Sequence, residues 1–236
     1  MKIVILNQGK NHHKYLISKL SEHFQISLII VEKNQLKPDF DTYHSYENQQ
    51  DSYEKEVLLK NTDIKLNDIS RTIESENIND EVVVSSMNKV NPDIVLTVGT
   101  GLIKSSLIKI CPSGFINLHG GDPEYYRGLD SFLWAIYHKD FSRLKVTLHR
   151  LNNKLDDGEI IEQEKIPLNK KTKIFKLRTE NIKICLDIVT KSISFYEKNG
   201  EFVSYSQKKK GRYYSFMPGV LKEISVKNFN KFVTTL

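Results

Sequence analysis

Two short runs of β-branched apolar residues, KIVIL at 2–6 and ISLIIV at 26–31, enclose a segment whose apolar residues fall at Tyr15, Leu16, Ile17, Leu20 and Phe24. Each run has the length and unbroken hydrophobicity of a strand buried on both faces. The spacing between them is that of a helix with a single apolar stripe. A strand, a helix and a second strand in this order make a βαβ unit, whose strands lie parallel.

The alternation recurs along the chain. Residues 80–91 read as a helix stopped by Pro92, and DIVLTVG at 93–99 reads as a buried strand running into glycines. A short helix is expected over 103–110, a strand over 114–119 and a helix over 129–138. Residues 145–151 alternate, with Val146, Leu148 and Arg150 on one side and Thr147, His149 and Leu151 on the other. A further strand is expected over 159–166. The longest helical stretch, 172–198, repeats Leu177, Ile182, Cys185, Val189, Ile193 and Tyr196 and meets Gly200 at its end. From Glu32 to about residue 65 the chain turns polar, and an irregular connection with room for one short strand or helix is expected. Residues 201–206 and 212–216 read as two strands about a Lys-Gly turn. The fold class is therefore α/β: a Rossmann-like, doubly wound, mostly parallel sheet over residues 1–200, with a small C-terminal β-hairpin extension over 201–236.

A chain of 236 residues fits one medium-sized domain with such an appendage. No apolar run approaches the ~20 residues that cross a bilayer, and the opening MKIVIL is too short for an export signal. Cys111 and Cys185 lack metal-ligand spacing, so no metal is expected; as small buried hydrophobes they suit a reducing, cytoplasmic setting. The net charge of +6 is spread along the chain, and the run Lys208, Lys209, Lys210 lies between two alternating segments. That is a solvated turn rather than a nucleic-acid stripe. The excess charge favours an anionic small-molecule ligand.

In doubly wound sheets ligands bind beyond the carboxyl ends of the strands. One such end reads Asn117-Leu118-His119-Gly120-Gly121. Positions two apart share a face, so Asn117 and His119 point the same way and Leu118 faces the core. An imidazole that takes a proton from an attacking amine, beside an amide N–H that donates to an oxyanion, is a pair suited to acyl transfer. The segment 152–160, NNKLDDGEI, follows the alternating strand. A carboxylate from this loop beside His119 would orient the ring and favour its protonated form. Residue chemistry alone leaves Asp156 and Asp157 equivalent in that role.

Asn-Leu-His at 117–119, then His149, then Leu-Asp-Asp-Gly-Glu-Ile at 155–160 resembles the catalytic domain of the 10-formyltetrahydrofolate-dependent formyltransferases, most closely over 93–160. The resemblance implies a catalytic triad of Asn117, His119 and Asp156, with Asp157 at the variable position before Gly158. It implies 10-formyltetrahydrofolate as co-substrate, held near Gly99, Gly101, Leu102 and Ile103 and by Asn153, Leu155 and Asp156, and it requires no metal.

Within that family the Ser-Leu-Leu-Pro run that follows the histidine in methionyl-tRNA and glycinamide ribonucleotide formyltransferases is absent. The loop after the first strand, Asn7-Gln8-Gly9-Lys10-Asn11, has a single glycine. The stretch 120–131, GGDPEYYRGLDS, instead resembles the sugar N-formyltransferases of surface polysaccharide and O-antigen synthesis, closest to the type acting on dTDP-4-amino-4,6-dideoxyglucose. The implied acceptor is a nucleotide-linked amino sugar, with Lys10, His12, His13, Tyr126 and Arg127 as candidate contacts. The segment 211–218 resembles the dimerising C-terminal region of those enzymes and implies a homodimer, the alternative being that it docks onto the parent domain. The alternatives are another acceptor (glycinamide ribonucleotide or methionyl-tRNA), a 10-formyltetrahydrofolate hydrolase, or a non-catalytic folate-binding protein.

Overall fold

The computed structural model describes residues 1–34 and 36–236. In chain order its strands are β1 (Ile3–Asn7), β2 (Ile26–Glu32), β3 (Thr72–Ser75), β4 (Ile94–Val98), β5 (Phe115–His119), β6 (Tyr126–Gly128), β7 (Lys145–Arg150), β8 (Ile160–Lys165) and β9 (Arg212–Tyr214). Its α-helices are α1 (Asn11–Ser21), α2 (Tyr46–Val57), α3 (Leu66–Ile69), α4 (Glu81–Val90), α5 (Ser105–Ile108), α6 (Ser131–Tyr137), α7 (Leu177–Asn199) and α8 (Gly219–Val233).

Seven strands form one sheet in the order β3-β2-β1-β4-β5-β7-β8. Pairing is parallel from β3 to β5 and antiparallel where β7 joins β5 and β8 joins β7. The α/β class and the mostly parallel sheet are as the sequence predicts. Strand alternation sends Ile3, Ile5, Leu96, Ile116 and Leu118 into a core shared with α1 and α7. Val4, Leu6, Leu28, Val95 and Phe115 pack into a second core with Val83 and Met87 of α4. The chain builds β1, β2 and β3 in one direction, then crosses back to place β4 on the other side of β1. The strand order thus reverses between β1 and β4, and their carboxyl ends open a crevice there.

Three regions depart from the expectations. The polar connection after β2 contains α2, a full helix. Its buried positions are Tyr46, Gln50 and Glu54; the stripe has helical spacing but polar chemistry, so apolar periodicity does not reveal it. The expected pairing of 201–206 with 212–216 does not form. A second small sheet is present, but β9 pairs in parallel with β6, while Tyr205 makes a single antiparallel bridge to Ile160. The backbone explains the choice: Gly211 N–H donates to Pro123 O and Arg212 N–H to Tyr125 O, which draws the strand onto a segment that the main sheet leaves without partners. Beyond it lies α8, which the sequence reading does not include. It packs Phe229 and Val233 inward and stacks Phe232 on Phe141 with ring centroids 3.8 Å apart.

Candidate active site

The crevice holds a cavity of about 840 Å³. Asn117 and His119 reach it from the carboxyl end of β5. The parallel partner of Asn117 is Thr97 in β4, and Thr97 Oγ1 donates to Asn117 Oδ1 at 2.6 Å. The antiparallel partner is His149 in β7, and Asn117 Nδ2 lies 3.0 Å from His149 Nε2. His149 Nδ1 donates to Arg150 O at 2.8 Å, which leaves Nε2 as the acceptor for the amide. Both ends of the Asn117 amide are thereby fixed, and one Nδ2 hydrogen remains for a ligand oxygen.

His119 is buried. Its Nε2 donates to Tyr126 O at 3.1 Å, with Ser131 Oγ at 3.4 Å. Its Nδ1 faces Asp156 Oδ2 at 3.6 Å, an ion-pair separation rather than a hydrogen bond. Asp156 is also buried, with Oδ1 3.6 Å from His149 Nε2 and Oδ2 accepting from Gly128 N–H at 2.8 Å. Burial alone would raise the Asp156 pKa. The neighbouring His119 and His149 imidazoles and the Gly128 N–H outweigh it and hold the carboxyl well below the usual carboxylate range.

The fold separates the two aspartates that residue chemistry leaves equivalent. Asp156 turns inward to the histidines. Asp157 turns away and pairs with Arg127 Nη1 at 2.6 Å. Gly158 permits the turn, since a Cβ there would lie 1.6 Å from Arg150 O.

The Gly99–Ile103 segment forms one wall of the cavity. Gly99 has φ of +66°, and a Cβ on it would lie 2.6 Å from the His13 ring. Buried Glu32 braces the segment by accepting from Gly101 N–H at 2.8 Å and from Ile78 N–H at 3.0 Å. Leu102 and Leu155, both solvent-exposed, line the cavity together with exposed Leu36. Asn153 is not on the lining; it accepts from Ser105 Oγ at 2.8 Å.

The expected acceptor contacts divide. His12 and His13 line the cavity, and burial holds the pKa of each below the histidine norm, most strongly at His13. Lys10 is exposed and outside the lining. Tyr126 is buried outside the cavity, its ring stacked on Tyr214 at 5.5 Å. Arg127 touches the cavity, but its guanidinium is engaged by Pro123 O, Asp157 and Gln207 Oε1.

Two polar residues of the same wall, Arg178 and Asp130, are not among those expected from the sequence. Arg178 Nε and Nη2 bind the carboxylate of buried Glu54, and Nη2 reaches Asp51 Oδ1 at 2.6 Å. His12 Nδ1 meets Glu54 Oε2 at 3.2 Å.

Among the described residues no cluster of His, Cys, Asp and Glu is arranged to hold a metal ion, and no helix is long and apolar enough to cross a membrane.

A methionyl-tRNA formyltransferase from Porphyromonas gingivalis is 27% identical over 146 residues, covering 62% of this chain and 45% of the relative. The chain spans less than half the length of the curated relatives it matches. A 4-N formyltransferase from Francisella tularensis superposes with a TM-score of 0.62 at 17% identity, covering 95% of this chain and 86% of that one. An N-formyltransferase from Helicobacter canadensis, solved with folinic acid and dTDP-3-aminofucose, superposes with a TM-score of 0.62 at 17% identity, covering 91% and 71%. At these identities the likeness of the solved structures is one of fold. Residues 1–180, which contain Asn117, His119, His149 and Asp156, match the family described as Formyl transferase, and the chain belongs to that family.

Proposed function

We propose that this protein transfers a formyl group from 10-formyltetrahydrofolate to the amine of a nucleotide-linked amino sugar. The observation that carries the reading is the convergence of Asn117, His119 and Asp156, with His149, at one cavity inside the family-matching region. The residues fit the folate: exposed Leu36, Leu102 and Leu155 offer apolar surface to a flat ring system beside the reacting groups. Bound there, the folate supplies the formyl carbon.

The acceptor amine forms the new N–C bond, and the formyl oxygen gains negative charge. The free Nδ2 hydrogen of Asn117 donates to that oxygen. His119 takes the amine proton at Nδ1, its Nε2 being held by Tyr126 O. The Asp156 carboxylate stabilises the resulting imidazolium. Breaking the bond from the formyl carbon to the folate nitrogen, with return of the proton to that nitrogen, completes the exchange. Holding amine and formyl carbon together contributes several kcal/mol, about 7–11 in well-aligned cases.

An amino sugar suits the wall formed by His12, Arg178 and Asp130, which mixes donors and acceptors rather than presenting one sign of charge. That the sugar is dTDP-4-amino-4,6-dideoxyglucose, that it serves O-antigen synthesis in the cytoplasm, and that two copies pair through the C-terminal segment belong to the same proposal. Light scattering tests the pairing. The acceptor is tested by mass spectrometry of purified protein with 10-formyltetrahydrofolate and a panel of nucleotide-linked amino sugars. One sugar should gain a single formyl group. Turnover of glycinamide ribonucleotide alone, or release of formate without an acceptor, would overturn it.

A further inference from the structure

Residues 152–155 are exposed, lie outside any strand, and lead into Asp156, whose φ of +47° is in the left-handed region. A non-glycine residue holds that conformation at a cost of about 1–2 kcal/mol and keeps it only where its surroundings over-determine it. The surroundings here come from two places far apart in sequence. Gln207 Nε2 donates to Asp156 O at 2.9 Å and to Gly158 O at 2.8 Å. Gln207 Oε1 accepts from Arg127 Nη2 at 2.9 Å. A reversed amide would set its oxygen against two carbonyl oxygens, so these three contacts admit one orientation. Arg127 adds Asp157 Oδ1 at 2.6 Å, and Pro123 O anchors its Nε at 3.0 Å. The main chain from Asp156 to Gly158 is thus gripped, while the carboxylate is left to face the histidines. Gln207 lies beyond the residues that match the family.

We infer that Gln207, braced by Arg127, is a positioning residue that holds the Asp156 carboxylate against His119, a role that rests on the formyl-transfer reading above. The C-terminal segment is accordingly part of the reactive centre. Side chains at 207 act through the loop and touch no substrate.

The test uses the full chain with Gln207→Leu and Gln207→Glu. Leucine removes every contact. Glutamate keeps an acceptor for Arg127 but cannot donate to the two carbonyls, so it serves where the leucine variant fails to fold. Each should lower kcat by roughly 10–100-fold with little change in acceptor KM. On an Asp156→Asn background the same substitution should cost nothing further, because its effect runs through that carboxylate. A second readout needs no acceptor: NMR titration of the Asp156 carboxyl, which faces His119 from β5, His149 from β7 and the Gly128 N–H from β6, with Arg127 behind the loop. In the wild type it should titrate below the ordinary carboxylate range, and in both variants its midpoint should move up. Equal losses on the two backgrounds, or identical titrations, would overturn the inference. A wild type that formylates no acceptor would sink the functional reading instead, and the titration would still decide the role of Gln207.

Discussion

Asn117 and His149 face each other across the antiparallel pairing of β5 and β7, and the imidazole accepts from the amide at 3.0 Å while Thr97 Oγ1 donates to its other end at 2.6 Å. The amide cannot rotate without losing both bonds. Its donor is therefore set before any substrate arrives, which is the condition for electrostatic stabilisation without reorganisation. Asn117→Ala should lower kcat for formyl transfer by about 100–1,000-fold. Thr97→Val removes only the brace and should cause a smaller loss in kcat at unchanged KM. Steady-state kinetics with the formylated sugar as readout checks both.

His119→Ala and Asp156→Asn should each leave the circular dichroism spectrum intact and lower turnover by at least about 100-fold, as loss of an acid–base group does. A wild-type rate in either variant would remove the proposed proton path.

Because the Asp156 pKa is depressed in the folded protein, its charge contributes stability above the unfolded carboxylate value of about 3.9. That contribution is lost as pH falls from there through the lower folded value. Urea unfolding of the wild type and Asp156→Asn should therefore differ most at neutral pH, and the gap should close progressively below about pH 4. A gap that widens in acid would contradict the sign.

Glu54 is buried between Arg178 and His12. Glu54→Ala leaves the Arg178 guanidinium with Asp51 alone and should destabilise the fold by about 1–3 kcal/mol, the usual cost of removing one partner of a buried hydrogen-bonded group. Glu54→Gln should be milder in stability yet raise acceptor KM, as Arg178 and His12 lose their common support. Chemical denaturation and Michaelis kinetics separate the two effects.

Gly158→Ala forces a methyl into Arg150 O. It should cost more than about 2 kcal/mol and reduce kcat as well, because the same turn carries Asp156. Thermal unfolding alongside kcat checks whether the two losses travel together.

The alternation of β-branched runs with helical stripes made the parallel sheet legible, because burial on both faces leaves an unbroken apolar signal. Asn117 and His119 were legible for a related reason: two polar residues at the end of such a run have no place in the core. Glu54 and Arg178 were not, because α2 buries Tyr46, Gln50 and Glu54 rather than an apolar stripe. Asp156 and Asp157 could be told apart by family resemblance, whereas the physical distinction is the left-handed turn that sends one to His119 and the other to Arg127. The pairing of β9 with β6 depended on vacant backbone groups at 123–128, which no local pattern announces.

That pairing has a consequence for how the protein is made. Arg212–Tyr214 lines up with Tyr126–Gly128, the strand whose Gly128 N–H binds Asp156 and whose Tyr126 carbonyl holds His119. During synthesis the sheet strands through β8 leave the ribosome well before their last partner does. A nascent chain can fold its sheet and still hold an unfinished centre, so activity should switch on late in translation, when residues 207–214 emerge and dock.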